Sequence, residues 1–361
     1  MLDPRFTAYA ELIVDRCIAV QAGWQVSLRT TPAARPLVEE LTRLIARRGA
    51  YALPRIAWPN EQTAFGIEWA KLVDETWLDG VPRLAQFEAD TIDATIIVLS
   101  AENARDGSDL DPERRSRLSR SREPLLRRTR SLEIPWNICQ YPTNAAAQEA
   151  GMTTAAFTDF VLGACLLDWD ALAADMRRLA DRFDAAEELR IEADGTDIRL
   201  GIAGRTFVVD DGKVNMPGGE FFCSPVEDAT DGVIHYGEFP SDLLGNRCKG
   251  VRLRFESGKV VEASADENEA FLLKMLDMDE GARILGELGI GCNPGIDRYT
   301  GSVLFDEKIH GTVHLALGNA YTFAGGTNKS GLHWDMVKDL RRGGKLYLDG
   351  ELVQENGRWS V

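Results

Sequence analysis

Apolar residues recur at helical spacing over residues 4–20, at Tyr9, Leu12, Ile13, Cys17 and Val20, and predict an amphipathic helix. GWQVSLRT then reads as a short strand, residues 36–47 as a helix, YALPRIAW as a second strand and ATIIVLS (94–100) as a buried central one. SLEIPWNICQYP reads as a further strand running into Pro142, and helical spacing returns over 152–167 and 169–183. Strands alternating with helices predict an α/β domain with a mostly parallel sheet and helices on both faces. From Glu188 the apolar period falls to two. LRIEADGTDIRLGIAGRTFVVDDGKV alternates, with Asp194-Gly195 and Asp211-Gly212 as turn signals. VRLRFESGKVVEASA and KLYLDGELVQENGRW read as hairpins turning at Ser257-Gly258 and Asp349-Gly350, and one clear helix falls at 268–276. The pattern divides the chain into an α/β N-terminal domain, 1–183, and an α+β C-terminal domain rich in antiparallel strands, 184–361.

At 361 residues the chain is long enough for two domains with sizeable cores. Its 44% apolar and 27% charged content is that of a soluble globular protein. A net charge of −16 disfavours nucleic acid and anionic membranes as partners. Six Cys lie far apart with no C-x-x-C pair, so a reduced, cytoplasmic compartment is the default expectation. The N-terminus carries Asp3, Glu11 and Asp15 and lacks a signal-peptide pattern, and the longest apolar run, 160–167, is too short to span a bilayer. Arginines crowd residues 114–130 without interleaved aromatics, which reads as a solvated helical face rather than a nucleic-acid patch. No G-x-G-x-x-G or G-x-x-x-x-G-K-[ST] follows a predicted strand, and neither H-E-x-x-H nor G-x-S-x-G occurs.

Candidate chemistry gathers in the second half. The stretch 311–337 holds two of the four His, His314 and His333, together with Tyr321, and Asp335 stands two residues after His333. In a strand, i and i+2 share a face, so His333 and Asp335 would present imidazole and carboxylate side by side. Glu220 follows Pro217-Gly218-Gly219, and Glu287 sits within the apolar LGELGIG, where a carboxylate is costly to bury unless paired or metal-bound. His314 alternates with Ala316 and Gly318, and a lone His in such a strand is more often a satisfied structural residue than a ligand. His235 and His310 have no acidic or His neighbour at ligand spacing and read as non-ligands. Two Glu, two His and one Asp suit a pair of divalent ions held through nitrogen and oxygen: Zn, Co or Mn.

The ordered set MPGGEFFCSP, LGELGIG, FDEKIHGTVHLALGNAY and NKSGLHWDMV resembles the aminopeptidase T family, which includes the AmpS and PepS metallo-aminopeptidases. IPWNICQYPT and GMTTAAFTDF upstream are similar to it as well. The resemblance implies that Glu220, Glu287, His314, His333 and Asp335 are metal ligands, with Glu287 between the two ions, and that Tyr321 acts there as proton donor or oxyanion partner. It implies a two-domain plan with a C-terminal metal domain, a homodimer, and short peptides with a free N-terminus as substrates. The chain departs from the family in one respect: His333 follows His314 by only 19 positions, and TFAGGTN lacks an insertion that would shape the substrate pocket.

The activity this resemblance implies is metal-dependent aminopeptidase hydrolysis, in which two metal ions activate water. Glu287 is the expected proton shuttle and Tyr321 the hydrogen-bond donor to the oxyanion. A rival reading takes His314, His333 and Asp335 as a mononuclear Fe(II) site of a ring-cleaving dioxygenase on the same scaffold. Against it stand Glu220 and Glu287, since one iron does not need both. A non-catalytic, metal-stabilised binding protein is the third reading, although structural sites are usually Cys-rich.

Overall fold

A computed structural model of the chain describes residues 3–57, 66–107 and 109–360. These form two compact units, one of Met1–Leu167 with Gly212–Gly218, the other of Asp168–Asp211 with Gly219–Val361. The predicted boundary at 183/184 falls at the far end of the helix Trp169–Asp184, which packs with the second unit.

The first unit is built on a five-stranded parallel sheet, ordered Tyr51–Ile56, Gln25–Thr30, Ala94–Leu99, Trp136–Gln140 and Asn215–Met216. Val26, Leu28, Ile96 and Val98 are fully buried in its central strands. The helix Arg35–Arg47 turns Leu37, Val38, Leu41, Leu44 and Ile45 inward at the spacing of its 3.6-residue period. Trp58, at the end of the predicted second strand, lies outside the described residues. The N-terminal helix is α-helical over Arg5–Glu11 and continues as a π-helix over Leu12–Cys17. The arginine-rich stretch forms the helices Pro112–Ser119 and Glu123–Arg130, and its arginines are more engaged than a solvated face requires. Arg114 donates to the Ala70 carbonyl, Arg117 pairs with Asp79 and Glu75, and Arg128 donates to the Ile92 carbonyl and Glu133.

The second unit holds an eight-stranded antiparallel sheet and a five-stranded antiparallel sheet. Three predicted hairpins belong to the larger sheet. Two of their turns place both central residues at positive φ, as two-residue hairpins of matching twist require: Ser257 (48°) with Gly258 (80°) and Asp349 (49°) with Gly350 (86°). Asp211-Gly212 is not a hairpin turn. It is where the chain leaves the strand Val208–Asp210 of one unit for Asn215–Met216 of the other, so alternation alone mistook a crossing for a turn. Phe183, Phe207 and Phe221 meet edge to face in the core beneath the smaller sheet. That sheet runs His333–Asp339, Thr312–Gly318, Leu285–Gly291, Glu220–Cys223 and Val208–Asp210. No helix among the described residues is long and apolar enough to cross a membrane.

Candidate metal centre

The smaller sheet explains how the candidate ligands converge. Residues directly opposite in an antiparallel sheet share a face. Glu287 stands opposite Ala316, which stands opposite Asp335; Gly318 faces His333; Gly289 faces His314; and Gly291 faces Glu220. On this face every position between ligands is Gly or Ala, and the small residues leave the room that the ligands fill. At Gly289 a Cβ would come within 2.0 Å of His314 Cε1, so only glycine admits the imidazole there. A register shift between Leu285 and Glu287 bulges the strand and aims the Glu287 carboxylate, as bulges near functional sites do.

His314 Nε2 lies 3.4 Å from Glu220 Oε2 and 3.5 Å from Glu287 Oε1. His333 Nε2 lies 3.3 Å from Glu287 Oε2 and 3.5 Å from Asp335 Oδ2. Glu287 therefore stands between two half-sites, Glu220–Glu287–His314 and Glu287–His333–Asp335. Each imidazole is fixed through its other nitrogen: Nδ1 of His314 contacts the Glu307 carbonyl at 3.0 Å, and Nδ1 of His333 the Asn319 carbonyl at 2.9 Å. A carbonyl can only accept, so both Nδ1 atoms donate, and each Nε2 faces the carboxylates, where it would offer a cation a lone pair on giving up its proton.

The donor set fits divalent ions. Glu220 Oε2, His314 Nε2 and Asp335 Oδ1 are buried without a hydrogen-bond partner, an arrangement proteins rarely leave unfilled. Without a cation the electrostatics are strained. Burial pushes the Glu220 carboxyl up and Asp335 up to about 6. Burial also opposes ionisation of Glu287, yet the two imidazoles beside it hold it down to about 2. Both imidazoles rise to about 10 against the penalty of burial, because Glu287, Glu220 and Asp335 surround them. Protons thus occupy positions that metal would take.

Tyr321 packs its ring 5.3 Å from that of His333, and burial with the nearby carboxylates raises its phenol, which keeps it an O–H donor. The short connection after it is tied down: Thr327 N donates to Glu227, Asn328 Nδ2 to the Gly318 carbonyl and Ser330 Oγ to Asp279. Sequence reasoning missed two residues. Glu307 brings a carboxylate oxygen within 4.8 Å of the ligand atoms of His314 and Asp335, and Lys308 is a fully buried lysine against Glu220 and Glu307. Both lie inside FDEKIHGTVHLALG, where a lysine in an otherwise buried run was the available signal. His235 and His310 join no such cluster among the described residues.

The second unit thus carries a buried His/carboxylate centre whose donor set marks it as a candidate metal site. The model of the thermophilic metalloprotease (M29) family matches residues 2–359, and the chain belongs to that family. It is 32% identical to aminopeptidase T of Thermus thermophilus over 209 residues, half of each chain. It spans between about a third and a half of the length of the aminopeptidase T and AmpS relatives it matches. The solved structure of wild-type AmpT from Thermus thermophilus superposes with a TM-score of 0.85 at 23% identity, covering 99% of both chains. That of 2,5-dihydroxypyridine dioxygenase from Pseudomonas putida KT2440 superposes at 0.65 with 17% identity, covering 99% of this chain and 97% of the other. At these identities the two structures speak for the fold alone.

Proposed function

We propose that the chain is a metal-dependent aminopeptidase acting on short peptides with a free N-terminus. Its ions would be two divalent cations, Zn, Co or Mn, held by Glu220, Glu287, His314, His333 and Asp335. The observation that carries this reading is the convergence of those five groups on one sheet face with buried, unpartnered Nε2 and carboxylate oxygen atoms. Glu220, Glu287, Glu307 and Asp335 crowd four carboxylates around the two imidazoles, a buried negative charge that divalent cations would offset. Bound ions of this kind polarise a peptide carbonyl, acidify water and anchor a free α-amine.

The protein's own groups supply the rest. Glu287 has both oxygens facing imidazoles, which favours a bridging ligand over the free base expected from sequence. We assign the proton transfer to Glu307, whose carboxylate borders the ligands and is 15% exposed, so it reaches both the reacting centre and water. Tyr321 donates its phenolic hydrogen to the developing oxyanion. The family resemblance further implies a homodimer, which light scattering of the purified chain checks.

The test is hydrolysis of aminoacyl-p-nitroanilides by metal-stripped protein re-supplied with Zn, Co, Mn or Fe(II). Turnover that vanishes when the substrate amine is acetylated supports the aminopeptidase and its amine anchor together. No hydrolysis with any metal, alongside oxygen uptake with a dihydroxypyridine and Fe(II), would replace this reading with the ring-cleaving one. The short His314–His333 connection would then be its structural mark.

A further inference from the structure

Lys308 lies outside the donor set yet inside its charge cluster. Its side chain is fully buried, with Nζ 3.0 Å from Glu220 Oε1, 3.8 Å from Asp210 Oδ2 and in contact with Glu307 Oε1. Its backbone is pinned on both sides: its N–H donates to the Phe305 carbonyl at 2.9 Å, and its carbonyl accepts from Asn293 N at 3.0 Å. The chain's other fully buried lysine, Lys338, is explained by structure alone. It donates to the carbonyls of Asp194 and His235 and to Glu238, a carboxylate that reaches solvent. Lys308 has no such structural account. It commits one oxygen of Glu220 to an ammonium and leaves the other, Oε2, facing His314.

Resting on the two-ion reading above, we propose that Lys308 makes the two halves of the site unequal. The half built from Glu287, His333 and Asp335 takes its cation first and tightly. The half built from Glu220, Glu287 and His314 takes the second weakly and exchangeably. Two physical differences drive this. A cation entering the second half meets a fixed positive charge at short range in a low-dielectric interior, and one of its three ligands is already shared with that charge. The second half is also the drier one. The His314 and Glu220 side chains are 0% and 4% exposed, whereas His333 is 27% and Asp335 10% exposed, so a hydrated ion reaches the first half at lower desolvation cost. Lys308 is thus a positioning residue that keeps Glu220 a one-oxygen ligand and tunes metal occupancy.

The experiment is a competition titration of the full-length, metal-stripped protein with zinc against a chromophoric chelator, reading bound metal rather than turnover. Two ions should bind with dissociation constants at least about tenfold apart. Asp335→Asn should remove the tight step, and Glu220→Gln should remove the weak one and leave the tight one intact. Lys308→Met should narrow the gap by at least about threefold, leaving the part that burial causes, while Lys308→Arg should keep it. Two ions of equal affinity in the unaltered protein overturn the role of Lys308 and leave the two-ion reading standing. A single ion overturns the two-ion reading itself. If Lys308→Met does not fold, Glu220→Gln and Asp335→Asn still decide, since loss of the tight step in Glu220→Gln overturns the assignment.

Discussion

Each unit buries a cluster of charge, and the two clusters differ in one telling way. In the first unit Glu88 takes Ser27 Oγ at 2.9 Å and Arg29 Nη2 at 3.0 Å on one oxygen, and Arg55 Nε at 3.0 Å on the other. Every oxygen of that carboxylate is spoken for by the protein. In the second unit Glu220 Oε2, His314 Nε2 and Asp335 Oδ1 are equally buried and have no partner. A closed cluster holds a fold together; an open one is built around something the polypeptide does not supply.

The largest effects should separate the clusters outright. His314→Ala or Glu287→Gln should lower kcat/KM by more than the roughly 100-fold typical of a lost outer-shell group and reduce bound metal. Glu88→Ala strands Arg29 in the core and should cost about 3–5 kcal/mol in urea denaturation, while activity per folded molecule holds. If Glu88→Ala also loses metal, or His314→Ala loses stability but not metal, the distinction between closed and open collapses. Tyr321→Phe comes next. It should cut kcat about 10²–10³-fold with bound metal unchanged, as removing one oxyanion donor does. A fall in metal content with unchanged kcat would instead make Tyr321 a ligand.

Much of this contrast was legible beforehand, and the illegible part has a physical reason. His333 and Asp335 announce themselves because a period of two puts them on one face. Glu287 does so because a carboxylate between Gly286 and Leu288 in an apolar run needs a partner. The hairpins at Ser257-Gly258 and Asp349-Gly350 were readable because positive φ demands such residues. Cross-strand register was not readable: nothing local to Gly289 says that it faces His314 or that its missing Cβ is the imidazole's room. Lys308 and Glu307 were missed because their meaning is long-range, coming from Glu220, which lies far away in sequence, in a strand, while they sit in a turn. The crossing at Asp211-Gly212 failed for the same reason, since a turn signal does not say which sheet the next strand will join.

Proton linkage sharpens the comparison further. In the ion-free site His314 and His333 are raised from 6.5 to about 10. Their charge therefore adds stability that is complete below about pH 6.5 and lost as pH rises through about 10. Cation binding at neutral pH has to expel those protons, one imidazole per half-site, so the affinity for each ion should rise by up to about tenfold per pH unit between pH 7 and 9 and flatten above 10. Calorimetry in buffers of different ionisation enthalpy should show about two protons released when both half-sites fill. No proton release would mean that the imidazoles are neutral before metal arrives and that the open cluster is less strained than its geometry implies.

The smallest effect is also the most local. A ligand that binds only the folded state stabilises it by about 2.7 kcal/mol at a hundred times its dissociation constant. That stabilisation should appear where the ligands are. In native-state hydrogen exchange, zinc should slow the amides of Leu285–Gly291 and Thr312–Gly318, whose strands carry Glu287 and His314, and leave Gln25–Thr30 of the first unit at its own rate. Both oxygens of Glu88, beside Gln25–Thr30, already hold protein donors, so a cation has nothing to add there. Equal slowing in both sheets would show that the chain opens as one cooperative body, and absence of slowing in either would show that the orphaned atoms of the second unit do not bind the ion they face.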